Sequence, residues 1–187
     1  MLDRKALAAA AAAFCAVPVL GVPRATAAPA VPAAAPAAGA AAPARAEHGA
    51  LIGQIRIKRM HLKADVREGV GQAVLRRAVG HYPGTGVPTR DGNTVLLGHR
   101  TTWLHPFNKL DLMRRGDRIV LRWGRRTYVY KVRTKRVIKP RDRRALEPVP
   151  FKRRSAPDGR YITLVTCTPK GSDRRRLVVV GKLQPRR

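Results

Sequence analysis

Acidic residues and cysteines are both scarce in this chain. Eleven Asp and Glu stand against 39 Lys and Arg in 187 residues, a formal net charge of +28. Such an excess implies an anionic partner or environment, either nucleic acid or an anionic envelope or lipid surface, unless the arginines form only a solvated face. Long apolar runs are equally few. The one such stretch, Ala6 to Val22, lies at the N-terminus, and nothing after it is long and apolar enough to cross a bilayer, which takes about 20 residues. Cysteine occurs only at Cys15 and Cys167.

The N-terminal stretch narrows the choice of partner. Arg4 and Lys5 precede the charge-free segment, and the small-residue run Ala25-Thr26-Ala27-Ala28 follows it. A basic start, an apolar middle and an A-x-A close make a secretory signal, with cleavage expected after Ala27. An uncleaved membrane anchor is the alternative; the segment is short, alanine-rich and interrupted by Pro18. In both cases the remainder is exported. Nucleic acid is then not an expected partner, and an anionic cell envelope or membrane surface is. Residues 28–49 form an Ala/Pro-rich tract that cannot bury a core and reads as an extended spacer. The folded domain is expected at 50–187.

Export also bears on the cysteines. Cys15 falls in the leader, preceded by Phe14 where a lipoprotein cysteine has a small residue. Cys167 is therefore the single cysteine of the domain and has no disulfide partner. An unpaired thiol in an exported protein is either reactive or a small buried hydrophobe.

From Leu51 onward the pattern is that of short strands. Leu51 to Ile57 is one. Met60, Leu62, Ala64 and Val66 alternate with His61, Lys63, Asp65 and Arg67, predicting a half-buried strand over 60–66. Ala73 to Val79 reads as a short helix or turn, and Tyr82 to Pro88 as a loop. Thr94 to Gly98 is a short apolar strand that delivers His99 at its end. Phe107 to Met113 has helical spacing for about two turns. Ile119 to Trp123 and Thr127 to Ile138 form a hairpin around Gly124-Arg125, residues 139–159 are loop-like, and strands at Tyr161 to Thr166 and Arg176 to Leu183 follow. Seven or eight short strands with one or two short helices predict an all-β domain, a closed or nearly closed barrel or a sandwich.

A thiol nucleophile needs a proton-carrying partner and a donor for the oxyanion of a tetrahedral intermediate. Cys167 and His99 both sit at strand ends, and Arg176 opens the strand after the Cys167 loop. An arginine favours thiolate by its charge and can hydrogen-bond an oxyanion. Each residue also has a plainer explanation. Four other histidines are present, at 48, 61, 81 and 105, and Arg176 belongs to the run Arg174-Arg175-Arg176.

The local sequences are more specific than the spacing. Thr163 to Cys167, T-L-V-T-C, matches the T-L-x-T-C signature of the sortase nucleophile at every fixed position. Nine residues on, R-L-V-V-V-G resembles that family's catalytic arginine and its strand, and G-N-T-V-L-L-G-H-R (92–100) resembles its histidine segment. G-H-Y-P-G-T (80–85) and G-H-R-T-T-W-L-H-P-F (98–107) look most like class E sortases of high-GC Gram-positive bacteria, with Trp103 where a tyrosine is expected.

The resemblance implies an eight-stranded sortase-type barrel and a cysteine transpeptidase. On it, Cys167 attacks the Thr–Gly bond of a secreted protein's C-terminal sorting signal, of LAxTG or LPxTG type. His99 moves the proton and Arg176 stabilises the oxyanion, and the acyl group passes to a peptidoglycan-precursor amine of the lipid II kind. Thr101, Thr102, Trp103 and Thr166 are implied substrate contacts, Thr166 also as a support of the site. Arg174 shares a strand face with Arg176, and the R-L-V-V run favours the latter. No metal or cofactor is expected, because the histidines lack ligand spacing and no phosphate-binding glycine loop is present. Two alternatives stay open. One is a non-catalytic basic module that binds anionic wall polymer. The other is a different cell-wall cysteine transpeptidase, against which the 68 positions between His99 and Cys167 weigh.

Overall fold

The computed structural model describes residues 46–185, so the leader and most of the spacer lie outside the described residues. Eight strands follow in chain order: β1 (Leu51–Ile57), β2 (Leu62–Glu68), β3 (Val79–His81), β4 (Gly92–Leu97), β5 (Arg118–Trp123), β6 (Arg126–Ile138), β7 (Arg160–Thr168) and β8 (Arg175–Leu183). A single helical turn, α1 (Gln72–Leu75), joins β2 to β3. The strands close into a barrel in the order β1-β2-β3-β4-β7-β8-β6-β5. Only β2–β3 and β4–β7 pair in parallel. Closure removes the unpaired strand edges that an open sheet would present. No described helix is long and apolar enough to cross a membrane.

Alternation along each strand divides the apolar residues into two layers. Inward-facing Ile55, Val66, Leu96, Leu121, Tyr130, Ile162, Leu164 and Val179 fill the barrel. The outer faces of β4, β7 and β8 are apolar as well, through Val95, Val165, Val178 and Val180. They are covered by Ala145, Leu146 and Phe151 from the β6–β7 connection. A buried polar pair fixes that cover. Asn93, 1% exposed, donates from its amide to the carbonyls of Ala145 and Glu147 at 2.9 and 3.0 Å. Its Oδ1 accepts from the Thr163 hydroxyl at 2.7 Å.

Three segments depart from the expectation of the pattern. The strand expected over 60–66 begins at Leu62, because Lys58–Met60 form a 3-10 turn and His61 takes a left-handed φ of 51°. The Phe107–Met113 stretch is a 3-10 turn at Leu110–Leu112 and not two α turns. Phe107, Leu110 and Met113 are all fully buried. A spacing of three brings side chains onto one face of a 3-10 turn, so the apolar period served a tighter coil. The short strand β3 shows no alternation because all three of its residues are buried. His81 holds it in place, its Nδ1 2.7 Å from the Glu68 carboxylate on β2 and its ring edge-on to Trp123 at 5.3 Å.

Candidate active site

Cys167 and Arg176 are directly opposed cross-strand partners of β7 and β8. Val165 faces Val178 two residues earlier in the same ladder, which puts Cys167 and Arg176 on the outer, loop-covered side of the sheet. Directly opposed residues of an antiparallel pair have their Cβ atoms roughly 5 Å apart. Cys167 is a free, half-exposed thiol, and Arg176 is half-exposed beside it. One guanidinium nitrogen of Arg176, Nη1, donates to the carbonyls of Asp173 and Arg175 at 2.5 and 3.2 Å. That tether leaves Nε and Nη2 without a protein acceptor among the described residues. Arg174, the other arginine of the run weighed at the sequence level, precedes β8 and lies outside this pairing.

His99 arrives from the other side of Cys167. The parallel β4–β7 register runs Leu97 against Val165, and the Gly98 amide extends it by donating to the Val165 carbonyl at 3.2 Å. Gly98 is needed because a Cβ there would stand 2.8 Å from Phe107 Cδ2 and 3.0 Å from Pro106 Cγ. The next residue is His99. The loop beyond folds back so that the Phe107 amide donates to the His99 carbonyl at 3.1 Å. The ends of three adjacent strands, β4, β7 and β8, thus carry the three residues singled out in the sequence.

The His99 ring lies against Trp103, with centroids 4.5 Å apart and planes at 45°. The Arg76 guanidinium lies over that indole, 5.0 Å from a ring centroid. Burial lowers the His99 pKa below its ordinary value, and the Arg76 charge lowers it further. The His99 Nε2 is buried and makes no hydrogen bond to the described residues. A buried ring nitrogen left open is suited to receive a proton from, or pass one to, a group that arrives there.

Thr101, Thr102 and Trp103 are exposed on the loop after His99, Trp103 by half of its surface. Thr166 is placed differently from them. It is 3% exposed, on the opposite face of β7 from Cys167, and its hydroxyl donates to the Gly98 carbonyl at 2.7 Å. Its side chain bears on the strand end that carries His99 and not on the open surface. Strand alternation alone separates it from Cys167.

Two residues were invisible in the sequence as parts of this region. Arg100 is buried to 6% exposure, pairs with Asp111 at 2.9 Å and donates to the carbonyls of Asn108 at 3.3 Å and Cys167 at 3.4 Å. It ties the loop after His99 to the backbone of Cys167. Arg76 sits in another segment, just after α1. Among so many arginines neither carries a local signal; a buried arginine is recognised only once its partners are known.

A groove of about 470 Å³ runs along the outer sheet face, lined by Tyr82, Leu97, Ile138, Leu146 and Val165 and bounded by Arg176. It is apolar along the strands and basic at its rim, where Arg141 and Arg143 enter. No group of three metal-ligating side chains occurs among the described residues.

Comparison with known proteins agrees with this fold. The family model described as a sortase domain matches residues 55–184. Sortase SrtE1 of Streptomyces coelicolor is 34% identical over 149 residues, 75% of this chain and 42% of that protein, so the chain spans less than half of that relative's length. The SrtA sortase from Actinomyces oris has a TM-score of 0.72 at 30% identity, over 78% of this chain and 87% of its own. The crystal structure of sortase E1 from Streptomyces coelicolor with a tripeptide in the active site has a TM-score of 0.66 at 30% identity, over 72% and 88%. The barrel and a family match across nearly all of the described domain together make the chain a member of the sortase family, whose members are cysteine transpeptidases.

Proposed function

We propose that this protein is an exported cysteine transpeptidase that cleaves a C-terminal sorting signal of LAxTG or LPxTG type between Thr and Gly. The observation that carries the reading is the convergence of three strand ends: Cys167 opposite Arg176 across β7–β8, with His99 brought alongside by β4. In the first half-reaction the Cys167 thiolate adds to the threonine carbonyl carbon. The oxyanion takes hydrogen bonds from the free N–H groups of Arg176, whose planar fork suits an oxygen anion. His99 gives its proton to the departing glycine nitrogen as the C–N bond breaks, leaving a thioester. In the second half-reaction His99 takes a proton from the incoming amine, which attacks the same carbon and expels the thiolate. The acceptor is a peptidoglycan-precursor amine of the lipid II kind.

Cys167 and His99 together hold one transferable proton in the productive state, whichever of the two carries it. A second proton disables the pair. The low pKa of His99 therefore keeps the pair functional toward mildly acidic pH. The sorting peptide lies in the apolar groove, and Thr101, Thr102 and Trp103 meet it near the scissile bond. Thr166 and Arg100 act as positioning residues for the His99 segment. Residues 1–27 direct export, by a cleaved signal or an anchor, and 28–49 space the domain from the membrane or wall.

The test is a quenched LAxTG or LPxTG peptide with a small amine, read by fluorescence and by intact-protein mass spectrometry. Wild-type protein is expected to show the acyl mass on Cys167 and to form the amide product. Cys167→Ala is expected to lose at least about a thousandfold in rate. A folded wild-type protein that acquires no acyl mass from any sorting peptide refutes the reading.

A further inference from the structure

Beside the groove, at the rim where β6 and β8 leave the barrel, lies a second and larger cleft of about 880 Å³. Its walls carry Lys139, Arg141, Arg143, Arg144, Arg153 and Arg175. Two carboxylates face it. Asp142 is occupied by Arg144, through Nε at 3.0 Å and Nη2 at 2.7 Å. Glu147 forms no ion pair among the described residues. Nor do Lys139, Arg141, Arg143, Arg153 and Arg175, so five uncompensated cations surround one concavity with a single free carboxylate. Fields from such groups add inside a cleft instead of spreading over a convex surface. Ile138, Arg141 and Arg143 line both the cleft and the groove, so the two spaces are adjacent.

We propose that this cleft is an anion subsite holding a phosphate or pyrophosphate group of the incoming amine acceptor beside the thioester, an inference that rests on the transpeptidase reading above. Several guanidinium forks facing one space match an oxyanion with many acceptor oxygens and more than one charge, which a phosphate or pyrophosphate supplies and a lone carboxylate does not. The volume exceeds a single phosphate and admits the group to which it is esterified. The apolar groove takes the donor peptide, and the basic cleft takes the acceptor's charge. The two adjoin along Ile138, Arg141 and Arg143.

Because the whole chain is basic, the test must separate this cleft from overall charge. Inorganic pyrophosphate is titrated into the folded protein by calorimetry at about 0.15 M salt. The comparison is between wild type, Lys139→Gln/Arg153→Gln, and a control, Arg122→Gln/Arg125→Gln, that removes equal charge from the β5–β6 hairpin, which lines neither space. The expected result is a loss of affinity of about tenfold or more in the cleft variant and less than about twofold in the control. Equal losses in both, or none in the cleft variant, overturn the subsite. A second arm follows amide formation from the preformed thioester with a soluble amine, with and without a pyrophosphate ester. A preference of about tenfold for the ester, lost in the cleft variant, is expected. Pyrophosphate binding in the cleft without that preference overturns the acceptor assignment. Failure of any thioester to form overturns the transpeptidase reading instead, while the calorimetry still decides the cleft.

Discussion

Asn93→Ala tests whether the floor of the groove depends on one buried amide. The substitution removes two donated hydrogen bonds, to the carbonyls of Ala145 and Glu147, and the acceptor of the Thr163 hydroxyl. All of this takes place at a site 1% exposed, where water does not readily replace the lost partners. At about 1 kcal/mol for each bond, the loss is about 3 kcal/mol. For a domain of this size that corresponds to a fall in melting temperature of roughly 10 °C. Other anchors of the loop include the Ala145, Leu146 and Phe151 contacts, the Arg136 guanidinium 4.6 Å from the Phe151 ring centroid, and the exposed Asp158 contacts with Tyr161 and Lys182. Those anchors are apolar or exposed, so the loop is expected to loosen before the barrel opens. Thermal unfolding by circular dichroism gives the stability change, and limited proteolysis within 139–159 gives the loosening. The KM for a sorting peptide should rise more than kcat falls, because Leu146 walls the groove in which the proposed peptide lies. A variant that melts within about 2 °C of wild type and resists protease equally refutes the pinning role.

The other predictions concern the strand ends. Arg76→Gln removes the lesser of the two causes that lower His99, so the acid limb of the kcat/KM–pH profile should move upward yet stay below 6.5, since burial remains; an unmoved limb refutes the coupling. Thr166→Val deletes the 2.7 Å bond to Gly98 with little change in shape. It should cost about 1 kcal/mol in chemical denaturation and lower kcat more than it raises KM; a change in KM alone would mean that Thr166 does not act through His99. Gly98→Ala puts a methyl 2.8 Å from Phe107, below any real contact distance, and should reduce acylation of Cys167 by displacing the loop after His99. Wild-type acylation in that variant would show that the loop yields freely.

The sequence carried the strand ends better than it carried their surroundings. β4, β7 and β8 are apolar on both faces, long enough to be recognised as buried strands, and they carry the motifs with His99, Cys167 and Arg176. Family resemblance supplied what alternation could not, a closed eight-stranded barrel; that β4 and β7 are neighbours in it, with 62 residues between Leu97 and Arg160, is seen only in the structure. The pattern failed where burial is complete or the coil is tight, as in three-residue β3 and the 3-10 turn at Leu110–Leu112. It was silent on Asn93, Arg100 and Arg76. Their importance depends on partners 52, 67 and 27 positions away, and no local period records that.

The central place of β8 bears on when the protein becomes a catalyst. β8 inserts between β7 and β6, so the barrel is open until the chain has been made through residue 183. Its pairing with β6, like that of β4 with β7, joins segments remote in sequence, and such contacts form late because the loop entropy must first be met. Until then Cys167 has at most the arginine across its own short hairpin, without the histidine that the β4–β7 pairing brings beside it. A chain crossing a membrane unfolded carries an isolated thiol and no groove. The proposed activity is thus confined by topology to the compartment in which the last strand docks.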